Sequence, residues 1–154
     1  MITYHEKALV SACLLGVRCR YDGGHSRSEE VLQLQDEMEL IPICPEQNGG
    51  LPTPRPAVQC TGGDGYAVLD GTATVTEVES GIDHTSEMLR GAETALDLAK
   101  FYKAKHAYLK SRSPSCGCGT VWIDGEISSG DGVTAALLKR NGITVHEMGR
   151  KKNG

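Results

Sequence analysis

The segment LKSRSPSCGCG, residues 109–119, holds two thiols in a loop rich in serine, glycine and cationic side chains. A simple turn needs no such chemistry. The chain has six cysteines, at 13, 19, 44, 60, 116 and 118. Structural zinc usually takes four closed ligands from paired C-x₂₋₄-C knuckles. The close pairs here are instead C-x₅-C (13, 19) and C-x-C (116, 118). His5, His84, His106 and His146 lack ligand spacing, and only His25 falls near the candidate loops. A thiol-phosphatase loop, C-x₅-R, fails in register. Cys19 sits where the arginine is required, with Arg18 one place early and Arg20 one place late.

Something must bring scattered thiols together, and the pattern of elements does so. The compact apolar run KALVSAC (7–13) reads as a buried strand. Ser26 and Glu29 have capping-box spacing for a helix over 28–37. ELIPIC (39–44) is a second strand, lightly paired at Pro42. Residues 45–65 have no helical period and read as a long functional loop. YAVLDG and TATVTEVE alternate around Asp70-Gly71 as a hairpin. A long helix is expected over 83–103, with Met88, Leu89, Ala92, Ala95, Leu96 and Ala99 on one face. AYL (107–109) is a third core strand, and TVWIDGEIS is a second hairpin with Asp124-Gly125 at its tip. Asp131 caps a last helix that ends at Asn141-Gly142. ITVHEM (143–148) is the fourth core strand.

This βα alternation predicts a single α/β domain: a mainly parallel, Rossmann-like sheet flanked by helices, with small β-hairpin insertions. In such a sheet, ligands sit beyond the carboxyl ends of the strands. Cys13 ends the first strand, Cys44 ends the second, and Cys116 follows the third. All three are delivered to one edge. Three thiolates fit an iron–sulfur cluster with one iron left open, since thiolates are its usual ligands.

Composition narrows the partners. The 154 residues are 39% hydrophobic and 23% charged, as expected of one globular domain. The first twenty residues mix charge into the apolar positions, so no export signal is expected. A cytoplasmic, reducing compartment follows, where clustered cysteines more often bind metal or do chemistry. No stretch approaches membrane-spanning length. A formal charge of −4, with one Phe and one Trp, argues against long nucleic acid and shows no evident stacking platform. The basic GRKKNG end reads as solvated. A small anionic ligand met by local cations stays compatible.

VSACLLGVRCRYDGGH, CPEQNGGLPTPRP and LKSRSPSCG together resemble a bacterial family of thiouracil desulfidases, across roughly residues 8–142. The resemblance implies an iron–sulfur enzyme that removes sulfur from thiolated uracil, or thiouridine nucleotides, without net redox change. It implies a 4Fe–4S cluster held by Cys13, Cys44 and Cys116, with the fourth iron open to receive the sulfur. It marks Glu46 as the acid–base carboxylate and Ser113 as a contact to substrate or incoming water. Cys19 and Cys118 flank ligand positions and stand as replacements; Cys60 reads as an inert small residue. One departure concerns the pocket: the family commonly has Glu after PRPPA, where this chain reads PRPAVQ with Gln59.

Chemically, an open iron is a Lewis acid able to bind a soft thiocarbonyl sulfur while water attacks the ring carbon. Glu46 takes the water's proton if burial raises its pKa toward working pH. Arg20, Asp22, Arg55 and Ser115 are candidates to hold a pyrimidine edge or phosphate, with structural pairing as the alternative for the charged three. Lys110 and Arg112 face a phosphate or water. Gly23-Gly24 and Gly49-Gly50 allow tight turns or close approach to a cluster. N–H groups of the loop 109–119 are expected to meet cluster sulfurs or phosphate. Two rival functions stand beside the desulfidase: a zinc or cluster-carrying module, and a thiol-redox or persulfide enzyme using Cys116 and Cys118.

Overall fold

Apolar runs at 7–13, 39–44, 107–109 and 143–148 form four strands of one parallel sheet. The computed structural model describes residues 6–149; the basic end beyond Gly149 lies outside them. The strands are β1 (Glu6–Ser11), β2 (Met38–Ile43), β5 (His106–Lys110) and β8 (Thr144–Met148), in the order β2-β1-β5-β8. Ser11 stands opposite Ile43 at one carboxyl edge, and Lys110 opposite Met148.

Both faces of this sheet are covered. Leu9, Ala107 and Leu109 pack with Ala95 and Ala99 of α4 (Thr85–Tyr102) and Leu138 of α5 (Val133–Arg140). On the other face Val10 and Leu14 pack with Val31 of α1 (Glu29–Gln33). Burial on two faces makes β1 read as a continuous apolar run, whereas β5 alternates and the edge strands β2 and β8 stay partly exposed.

The remaining strands form a second sheet in place of isolated hairpins. Its order is β4 (Thr74–Glu77), β3 (Val58–Thr61), β6 (Thr120–Ile123), β7 (Glu126–Ser129). The β3–β6 pair is parallel and the outer pairs are antiparallel. Val58, Cys60, Val75 and Val121 pack on Met88, Ala92 and Val133. Helix α4 therefore serves both sheets, Met88 and Ala92 one, Ala95 and Ala99 the other.

Four expectations are corrected. The hairpin around Asp70-Gly71 does not form: its first arm is α3 (Gly65–Leu69), capped where Asp64 Oδ1 accepts the Ala67 N–H at 3.2 Å. Asp70 ends that helix, and β4 pairs with β3 instead. The loop expected over 45–65 contains α2 (Pro45–Asn48) and β3, both only four residues long and too short to show a period. Ser28, not Ser26, caps α1 by accepting the Val31 N–H at 3.3 Å; the Ser26 hydroxyl takes Arg20 instead. Gly132, not Asp131, is the N-cap of α5. The Asp131 carboxylate accepts from Gly119 N at 2.7 Å and from Lys139 Nζ at 2.8 Å. Burial opposes its charge, but these partners win and hold it below the usual carboxylate range.

Candidate active site

The order β2-β1-β5-β8 reverses direction between β1 and β5, and ligand crevices of open α/β sheets lie at such points. Beyond the carboxyl ends of these strands opens a cavity of about 490 Å³. At its floor the Ser11 hydroxyl accepts the Lys110 N–H at 2.9 Å, tying the two strands at the switch. Cys13, Cys44 and Cys116 all line the cavity, with Cys19 as a fourth thiol.

The backbone explains each placement. Cys13 lies in a short 3₁₀ turn, Ala12–Leu15, closed by Gly16 at φ 98°. Cys44 caps α2, whose first residue is Pro45 and whose second is Glu46. Gly49 and Gly91 let α2 touch α4: a Cβ on Gly91 would lie 1.9 Å from the Pro45 carbonyl oxygen, and one on Gly49 1.9 Å from that of Glu87. The close approach at Gly49 is thus to a helix backbone. The Cys116 loop lies across the start of α5, where its carbonyls satisfy otherwise orphaned N–H groups. Gly117 O accepts from Gly132, Pro114 O from Val133, and Ser115 O from Thr134, at 2.7, 2.8 and 2.8 Å.

The loop's amides are turned inward as well. Ser113 Oγ accepts the N–H groups of Ser115 and Cys116, each at 3.1 Å, while Gly117 N donates to Ser113 O. These three amides are therefore not offered to a ligand, contrary to expectation. Ser113 lines the cavity, yet its hydroxyl is engaged within the loop. Ser115 Oγ carries one proton and lies within donating distance of both Glu46 Oε2, at 3.2 Å, and Cys116 Sγ, at 3.6 Å; Ser113 Oγ is 2.9 Å from it. The two serines form a hydroxyl pair set between Glu46 and Cys116.

Arg55 meets Glu46 from the other side, Nε to Oε1 at 3.0 Å. Its side chain is buried, and its other donors go to Pro52 O, Thr53 Oγ1 and Cys19 O. Arg55 lines the cavity and there holds the Glu46 carboxylate and the Cys19 backbone, the structural pairing that stood as the alternative to substrate contact. Asp22 does not line the cavity; its Oδ1 accepts the Gly24 N–H at 2.8 Å and closes an exposed turn. Arg20 does line it, beside Lys110 and Arg112. Arg112 is at φ 64°, and its Nε is buried with no hydrogen-bond partner among the described residues. Burial and the nearby Arg20 push the Lys110 pKa down.

Thiol electrostatics follow the contacts. Hydrogen bonding from Cys19 pulls the Cys13 pKa down, and the same contact pushes Cys19 up to about 11. Cys44 is pushed up by its hydrogen bond to Cys19 and by burial. Burial pushes Cys116 up to about 12, against hydrogen bonds from Ser11 and Ser115. Among the described residues, no three or more His, Cys, Asp or Glu side chains are arranged to hold a single metal ion. A cluster asks for something wider, because each thiolate binds a different iron. Cys13, Cys44 and Cys116, on three loops around one cavity, are a donor set of that chemistry.

Other thiols stand apart. Cys118 does not line the cavity; its sulfur faces Val145 O at 3.9 Å, and Lys139 lies beside it. A Cys116–Cys118 redox pair finds no support in that placement. Cys60 is fully buried in the core, its pKa pushed up to about 12 by burial. His25 takes the Arg27 N–H in an exposed turn and does not line the cavity.

Sequence reasoning passed over three wall residues. Tyr21, Val78 and Trp122 line the cavity while 44%, 50% and 43% exposed. Two exposed aromatic side chains, Tyr21 and Trp122, thus border the cavity. The signal for Trp122 was its exposed register in TVWI, between the buried Val121 and the half-buried Ile123.

Comparison with known proteins adds three findings. A family profile described as 2-thiouracil desulfurase matches residues 8–148. The uncharacterized protein YbbK of Bacillus subtilis (strain 168) is 44% identical over 140 residues, covering 89% of this chain and 92% of its own. A solved structure described as 4Fe-4S-dependent thiouracil desulfidase TudS superposes with a TM-score of 0.76 at 41% identity, covering 92% of this chain and 90% of that one. Among the described residues no helix is long and apolar enough to cross a membrane.

Proposed function

The chain belongs to the 2-thiouracil desulfurase family and is a desulfidase, and from that premise we propose how its cavity does the work. The reaction is hydrolytic: thiolated uracil, as base or nucleotide, and water give the oxo-pyrimidine and hydrogen sulfide, with no change in oxidation state. Cys13, Cys44 and Cys116 would hold a 4Fe–4S cluster of the kind that the related solved enzyme depends on, and when bound it supplies a Lewis-acidic iron for the departing sulfur.

The remaining work falls to this chain's own groups. Glu46 takes the proton of the water that replaces sulfur. Arg55 and Ser115 meet the two carboxylate oxygens, so the base needs no reorientation during the reaction. Arg20, Lys110 and Arg112 leave the cavity wall cationic in a chain of formal charge −4, which suits a phosphate-bearing nucleotide. A cavity of about 490 Å³ is also roomy for one pyrimidine ring. The small ligand sits at the switch point, away from membranes and long nucleic acid.

One observation carries this reading: three thiols from distant loops share a single cavity with a clamped carboxylate. The test is anaerobic reconstitution, followed by iron and acid-labile sulfide analysis and a panel of thiolated pyrimidines. About four irons and four sulfides per chain are expected. Cys116→Ser should lose cofactor and sulfide release together. Glu46→Gln should keep the iron and lose roughly 10²–10⁴ in kcat. One zinc per chain with no labile sulfide, or a fully active Glu46→Gln enzyme, overturns the assignment.

A further inference from the structure

Trp122 and Gln59 stand side by side on the open face of the second sheet. Cys60 pairs with Ile123 in the parallel β3–β6 register, so the residues just before them, Gln59 and Trp122, are neighbours pointing the opposite way from the buried Cys60. Both line the cavity, as does Gly125 in the β6–β7 turn. Gly125 N donates to Gln59 Oε1 at 2.6 Å. A backbone N–H can meet only the amide oxygen, so this contact settles which end of the carboxamide faces where. The acceptor is occupied by the turn. The Nε2 group, with two donors and no protein acceptor among the described residues, is what Gln59 has left for a ligand.

We infer that Gln59 is a specificity-determining residue that donates to the C4 carbonyl oxygen of a 2-thiolated pyrimidine stacked on Trp122. This rests on the thiopyrimidine reading above. A flat heterocycle lying against an indole gains stacking without regard to its substituents. Discrimination must then come from the edge, and a pure donor beside the ring selects oxygen over an amino group. 2-Thiouracil presents a carbonyl there. 2-Thiocytosine presents an N–H₂, which would set donor against donor and leave both unpaired. Replacing the amide by a carboxylate reverses the sign. Gly125 still takes one oxygen, and the other becomes an acceptor suited to the amino form.

The chain has a single tryptophan, so its emission reports on this wall without any cofactor. In cofactor-free protein, uracil should quench Trp122 fluorescence at concentrations about tenfold lower than cytosine. In reconstituted enzyme, kcat/KM for 2-thiouracil should exceed that for 2-thiocytosine by at least a similar factor. Gln59→Glu should move both ratios toward the amino ring. Gln59→Leu should bring them near one, with the loss mainly in KM. Equal ratios in wild type, or ratios that neither variant moves, would overturn the proposal. Should one variant not fold, the other and the wild-type ratio still decide. The two readings also fail separately. An enzyme that desulfurates no thiopyrimidine, yet binds uracil over cytosine through Gln59, sinks the function and leaves the wall. Brisk desulfuration with Gln59-independent selectivity does the reverse.

Discussion

Glu46 and Arg55 are almost wholly withdrawn from water, with side-chain exposures of 13% and 4%. A buried pair of this kind tolerates loss of one partner badly, because the survivor is left charged and desolvated. Arg55→Met should therefore cost about 3–5 kcal/mol in chemical denaturation. Arg55→Lys should recover little of it. A lysine brings a point charge, whereas the guanidinium fork reaches Glu46, the Pro52 carbonyl and the Cys19 carbonyl at once. If Arg55→Lys unfolds at the same denaturant concentration as wild type, the fork is not what holds the site together.

Helix α2 is too short to persist alone and takes its position from contact with α4. Gly91→Ala places a methyl group on the Pro45 carbonyl, so α2 must move and Glu46 with it. A loss of about 1–3 kcal/mol is expected, together with reduced turnover. At the start of α4, His84 Nε2 and Glu77 Oε2 are 2.6 Å apart, bridging β4 to the helix. Hydrogen bonding to Glu77 raises the His84 pKa above 6.5. Glu77 is held below 4.5 by hydrogen bonds from Ser80 and His84. The histidine's contribution is complete below 6.5 and fades as pH rises through its folded value. That of Glu77 is present above 4.5 and fades as pH falls through its lowered folded value. Thermal melts between about pH 5 and 8 should show Tm falling on the alkaline side, and His84→Gln should flatten that fall. An unchanged slope in His84→Gln would assign the pH dependence elsewhere.

Across the whole molecule, α4 couples the sheets by burying one half of its length on each. Removing Met88, which is fully buried, opens a cavity under the second sheet and should cost about 2–5 kcal/mol. The shared helix makes the penalty global. Met88→Ala should still unfold in one transition, with far-UV and near-UV signals coincident. Two separated transitions would mean that the sheets fold as independent units. The same coupling matters for chemistry, because the loops of the first sheet supply the thiol rim and the second sheet supplies Trp122. Neither sheet alone encloses the cavity.

Of the four runs that became the first sheet, β1 was legible because burial on both faces leaves an unbroken apolar signature, and the others through short apolar stretches bounded by turn residues. Their carboxyl edge followed from the βα alternation, and with it the meeting of Cys13, Cys44 and Cys116. The long period of α4 was legible because one face stays buried along its length, at Met88, Ala92, Ala95 and Ala99. Short elements were not: α2, α3 and β3 are stabilised by neighbours far away in sequence, so Asp70-Gly71 read as a hairpin tip when it ends a helix. Which charges serve a ligand and which serve the scaffold was likewise a tertiary matter. Arg55 and Asp22 look alike as loop charges, yet one is buried against Glu46 and the other closes a surface turn. Local sequence carries the type of each donor, but only packing decides where its hydrogens go.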